Sequence, residues 1–294
     1  MTQKQESETR EAEIFALDPI GPREELVQVA GELLDYATSS VDALRRVGSG
    51  NVQGNAWEIL RRSIVVRQYE ALSAIMQMTG HGSGHFGVVL LRAAYEELVW
   101  LDYLSLLPSG QNDICVALVS QEICDSLGAQ NEYLGKDGMA SIGFSQAYVK
   151  KTLAKLRAQN ATLKSATAAF EWSKPNHSKE DAKPSFWKAS AKTNRDKEYR
   201  YLYLATSRFA HFSAHELLRR VWGGEGSWSI ASSHFSRYWT DFALYWGARI
   251  FLESVNASKL EMSGRFDEET RCKFLERISL MTPVQIITKT EVER

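Results

Sequence analysis

The chain has 294 residues, 44% of them hydrophobic and 11% aromatic, enough to close a sizeable core unaided. A formal charge of −1 and a mean hydropathy of −0.30 argue against a nucleic-acid coat and against an integral membrane protein. Three cysteines, Cys115, Cys124 and Cys272, match neither a disulfide framework nor a zinc knuckle and read as reduced core thiols.

Apolar residues recur at helical spacing and alternating strand patterns are nearly absent. The expected fold class is therefore all-α, a single bundle of about seven or eight helices. Residues 1–22 read as a polar N-terminal tail without an apolar signal segment, which makes the cytoplasm the expected location. A first helix is expected over 23–47 behind Pro22, ended by Gly48, Gly50 and Gly54. Asn55 with Glu58 forms a capping box for a second helix that closes near Gly80. A glycine-rich turn at 81–85 leads into a third helix over 87–107, stopped by Pro108. Arg92, Glu96, Glu97 and Asp102 interrupt that helix, so it reads as a central buried helix and a poor membrane span. Two more helices are expected over 114–134 and 145–170.

The stretch 171–195, with Pro175, Pro184 and many lysines, reads as a long basic loop holding one helical turn at most. Across 144–200, 13 Lys and Arg stand against 5 Asp and Glu, a net of +8 that leaves −9 for the remainder. Lys174, Lys179, Lys183, Lys188 and Lys192 could track a phosphate backbone while Trp187 stacks on bases, which makes RNA or another anion the expected partner. A solvated loop suits the same residues better, since Lys-rich loops are common and Glu180 and Asp181 interrupt this one. Helices resume over 198–221 and 229–255 around a glycine-rich turn at 223–226, and a last one follows Asp267. The helical domain then spans 23–281 and a tail covers 282–294. Phe235, Tyr238, Trp239, Phe242 and Trp246 form an aromatic stripe that suits a core, or else the face of a homodimer.

On the third helix Arg92 and Glu96 lie four residues apart, as do Tyr203, Ser207 and His211 on the helix over 198–221. Polar groups on otherwise apolar stripes must pair or stay wet, so the two faces are expected to meet in a buried cluster. In it Arg92 is held by Glu96, and His211 bonds to Ser207, Tyr203 or the carboxylate. Such a cluster is either a network that fixes helix register or a ligand site.

The segment Leu91-Arg92-Ala93-Ala94-Tyr95-Glu96, followed far downstream by Tyr203, Ser207 and His211 at spacings of four, resembles an uncharacterised bacterial helical family known as domain of unknown function 5677. The resemblance covers about 67–255 and implies a helical fold and a bacterial source, with no activity attached. Arg208-Phe-Ala-His-Phe-Ser-Ala-His215 also resembles the loose Arg and His motif of the HEPN family of helical, metal-independent ribonucleases, although Phe209 stands where that family has a polar residue. There the arginine would stabilise charge on a phosphate and the histidine would move the proton of a ribose hydroxyl, at a site formed by two protomers.

His81 with His85, and His211 with His215, are spaced to chelate a metal, but neither pair carries the glutamate of a zincin or di-iron motif, so no metal is expected. No Walker loop, dinucleotide fingerprint or nucleophile elbow occurs, so no cofactor is expected either. The function expected from these residues is a sensor or interaction module, with a toxin or phage-defence ribonuclease as the alternative.

Overall fold

The computed structural model describes residues 23–46, 51–52, 54–107, 109–168, 186–211, 213–219, 221–224, 227–230, 236–262, 264–281 and 286–287, with the side chains of 23, 159–168 and 221–229 outside that description. Among the described residues the elements are α1 (Arg23–Leu44), α2 (Ala56–Gly80), a 3-10 turn (Gly84–Gly87), α3 (Val88–Ser105), α4 (Gln111–Ser141), α5 (Gln146–Ala168), α6 (Phe186–Lys192), α7 (Asp196–Ala210), α8 (Ala214–Leu218), strands β1 (Val221–Gly224) and β2 (Ser227–Ile230), α9 (Ser236–Ser258) and α10 (Glu268–Ser279). The fold is all-α, with ten α-helices among the described residues where apolar spacing led to an expectation of seven or eight. Lys174, Lys179, Lys183, Phe235, the 1–22 tail and most of the C-terminal tail lie outside the described residues.

Three departures from the sequence reading stand out. The helix expected over 198–221 stops at Ala210, where His211 turns extended (φ −113°, ψ 171°). It restarts at Ala214 behind Ser213, whose hydroxyl accepts from the Glu216 N–H at 3.4 Å. The glycine-rich stretch after it is an antiparallel hairpin, with Val221 opposite Ile230 and Gly224 opposite Ser227. Finally, the capping box does not form. Asn55 donates its amide back to the Asn51 carbonyl at 3.1 Å, and the Trp57 N–H is held at 2.9 Å by Asn112 Oδ1, an acceptor distant in sequence. By contrast Asp267 caps α10 as placed, accepting from Thr270 N–H at 2.9 Å.

The described residues of Met1–Val47, Arg61–Asp102 and Ser190–Arg294 make one compact unit, and those of Gly48–Leu60 and Tyr103–Ala189 another. In the first, α9 is the most enclosed helix. From Tyr238 to Val255 every residue is buried except Arg249 and Glu253, so the aromatic stripe is core. Leu26, Val29, Leu33 and Ala37 of α1 belong to the same core, as do Leu72 and Ile75 of α2 and Leu91, Tyr95 and Leu98 of α3. The glycine-rich turn packs tightly here. A Cβ on Gly87 would stand 2.7 Å from Ile75 Cγ1 and 3.2 Å from Ala243 Cβ, so glycine lets the turn touch α2 and α9.

The second unit is built on the pair α4 and α5, whose small core is Leu127, Met139 and Val149 with Phe144 and Leu153 against it. α4 runs past its expected end at Leu134, interrupted at Gly135 (φ 65°, ψ −174°), a conformation that L side chains rarely adopt. Cys115 and Cys124 are buried as expected, and burial pushes the Cys115 thiol up to about 11. Cys272 is exposed, because it sits on the outer face of α10.

Candidate functional site

Within the first unit, α3 and α7 bring the five sequence-selected residues to one guanidinium. Arg92 Nε donates to Glu96 Oε1 at 3.2 Å and Nη1 donates to Ser207 Oγ at 3.3 Å. The same Nη1 stands 3.4 Å from His211 Nε2, and the guanidinium carbon lies 4.7 Å from the centre of the Tyr203 ring. The hub is therefore Arg92 and not the histidine. His211 meets Ser207 only through the backbone, its N–H donating to the Ser207 carbonyl at 2.9 Å, because α7 has already ended.

The cluster also proves wetter than the sequence suggested. The Arg92 side chain is 34% exposed and Glu96 20%, while His211 and Tyr203 are exposed outright. Arg92 Nη2 makes no hydrogen bond among the described residues. Exposed Phe86 and Val89 precede Arg92 at helical spacing, and Phe86 meets Phe209 edge-on at 6.3 Å. The arrangement can present a donor edge, a hydroxyl and an imidazole to an anion beside an apolar strip.

Arg208 and His215 fall on either side of the helix break. Arg208 occupies the last turn of α7, where a cation is favoured by the helix dipole, and it makes no hydrogen bond or ion pair among the described residues. His215 Nδ1 stands 3.6 Å from Glu216 Oε1, its side chain 42% exposed. On α6, Trp187, Lys188 and Lys192 are all exposed.

A denser network escaped the sequence reading. Arg195, just ahead of α7, donates through Nε to Asp102, and through Nη1 to Glu253 at 2.5 Å and Glu198 at 3.3 Å. Arg249 closes the circuit, reaching Glu198 and Glu253 at 2.7 Å each, with its guanidinium 5.0 Å from the Trp246 ring centre. Two cations thus face three carboxylates. Burial, and then the Glu198 charge, push the Tyr95 phenol well above its ordinary range, and burial takes Tyr199 up to about 12. The signal was present in Asp102, an acid on an apolar helix, and in the i, i+4 pair Arg249 and Glu253.

Among the described residues no group of three or more His, Cys, Asp or Glu side chains is placed to hold a metal ion, and no helix is long and apolar enough to cross a membrane. A family model described as "Family of unknown function (DUF5677)" matches residues 59–227, more than half of the chain, and the chain belongs to that family. The matched span takes in the Arg92 cluster whole, together with Arg208, His215 and Arg195. No curated protein and no solved structure gave a significant match.

Proposed function

We propose that this chain is a sensor or interaction module whose site is the Arg92, Ser207 and His211 cluster and whose ligand is a small anion, a phosphate or a carboxylate. The observation that carries this reading is the half-exposed guanidinium held in place by Glu96 and Tyr203, with its Nη2 edge unspent. An arginine already oriented by neighbours loses little freedom when it grips an anion through a planar donor pair. Purified protein should melt at a higher temperature in inorganic phosphate, adenosine monophosphate or citrate, since a ligand at about 100 times its Kd stabilises by about 2.7 kcal/mol. Arg92→Gln should keep the fold and lose the shift. No shift with any of the three anions would reject the reading and leave the cluster as a device of helix register.

The second reading is a metal-independent ribonuclease of toxin or phage-defence type, acting as a homodimer. It is favoured by Arg208, a cation without an ion pair among the described residues, one helix break away from His215. Lys174, Lys179, Lys183, Trp187, Lys188 and Lys192 would gather its RNA. It requires RNA cleavage in chelator and impaired growth on expression, both lost in Arg208→Ala and in His215→Ala but kept in Arg92→Gln. Intact RNA after incubation with wild-type protein rejects it.

A further inference from the structure

We infer that α5 is a docking surface for the phosphate backbone of a B-form DNA duplex. Its apolar side is spent on α4, since Val149 and Leu156 are buried. The rest of its circumference carries Lys150, Lys151, Lys155 and Arg157, all exposed. No carboxylate occurs anywhere from Gln146 to Ala168. None of the four cations makes an ion pair or hydrogen bond among the described residues. Exposed helices elsewhere in the chain interleave their charges, as Lys273 with Glu269 at 2.6 Å and Arg45 with Asp42 at 3.5 Å. A merely solvated face would look like those, and α5 does not.

The spacing says which polyanion. At about 100° per residue, Lys151 and Lys155 form one row and Lys150 and Arg157 another, about 130° around the helix. Among the α5 residues whose side chains are described, only Ala147, Ala154 and Ala158 stand between the rows, all exposed. A helix about 10–12 Å across fits the major groove of B-DNA, about 12 Å wide, with cations on both flanks meeting the two bordering strands. The deep, narrow major groove of an RNA duplex does not admit it. Alanines bring no donor or acceptor to base edges, so recognition is by backbone and independent of sequence. A membrane surface is disfavoured because a helix lying on lipid must turn its apolar face outward, and here that face is turned to α4. Tyr148 is the one large apolar side chain exposed among the described residues of α5.

The test is fluorescence anisotropy of the full chain with a short fluorescein-labelled DNA duplex across a salt series. Four phosphate contacts give a log–log salt slope of about −3.6, or about 100-fold weaker binding between about 50 and 200 mM salt. The double variants Lys150→Gln with Arg157→Gln, and Lys151→Gln with Lys155→Gln, should each flatten the slope by about 2, and the quadruple variant should lose binding. All four positions are exposed, so circular dichroism should be unchanged. Arg92→Gln should bind the duplex as wild type does, which separates this surface from the anion site. Absent binding at the lowest salt or an unchanged slope in the double variants overturns the inference. So does a preference for duplex RNA, single strands or phosphatidylserine vesicles.

Discussion

Replacing Arg195 by methionine should cost the protein about 3 kcal/mol. The arginine contacts Asp102, Glu198 and Glu253, and its removal leaves Arg249 alone against three carboxylates. Breaking a buried pair costs about 3–5 kcal/mol because the abandoned charges stay desolvated. The low end applies here. The side chains of Arg195 and its three partners are 19–23% exposed, so water screens part of the loss, and Arg249 still holds Glu198 and Glu253. For a chain of this length the loss corresponds to a melting temperature lower by roughly 6–12 °C. Thermal and urea unfolding would measure it, and a double-mutant cycle with Glu253→Gln should return a coupling of about 1 kcal/mol or more. A fall of less than about 2 °C, with coupling near zero, would mean that the network is a surface ornament and that the reasoning from burial is wrong.

Gly87→Ala should destabilise by about 1–3 kcal/mol, because its methyl would press on Ile75 and Ala243; urea unfolding with an unchanged midpoint would contradict the packing. Burial holds the Glu97 carboxyl above its ordinary 4.5, with Arg67 and Gln68 pulling the other way. Between those two values the folded state keeps a proton that the unfolded state has released, so the stability Glu97 contributes is complete at low pH and lost as pH rises through the raised value. The melting temperature of wild type minus that of Glu97→Gln should therefore fall from about pH 4 to about pH 7, and a flat difference would oppose this. In native protein a thiol-specific reagent should label Cys272 and spare buried Cys115 and Cys124; three labelled thiols would show the α4 and α5 unit to be open.

Much of the fold is legible in the sequence where one residue dictates one local outcome. The glycine-rich stretch ends α2, through Gly82 at φ 74°, Asp267 caps α10, and Arg92 and Tyr203 stand on faces that meet. The illegible parts depend on groups distant along the chain or on a local cap that outcompetes helical continuation. Asn112 displaces Asn55 at the start of α2, and the hydroxyl of Ser213 begins a new helix where apolar spacing suggested continuation. The hairpin of β1 and β2 is too short for an alternating pattern to stand out. Arg195 looked like one more cation of the basic segment, since its partners Asp102 and Glu253 lie in helices remote in sequence. Pattern reading finds faces, but which side chain becomes the hub of a network depends on where helices end. His211 shows this, because its extended backbone carries the ring beyond the axis of α7 and onto Arg92.

The position of α9 in the chain bears on synthesis. Until residues 236–258 have left the ribosome, the apolar faces of α1 and of the glycine turn lack their contacts with α9, and closing those contacts spans most of the polypeptide. The α4 and α5 core needs only residues between Leu127 and Leu153, which emerge together. The nascent chain thus holds one assembled helix pair flanked by unsatisfied segments, the state in which chaperones bind and proteases cut. A premature stop ahead of α9 would leave that pair with its core partners while α1 and the glycine turn lacked theirs.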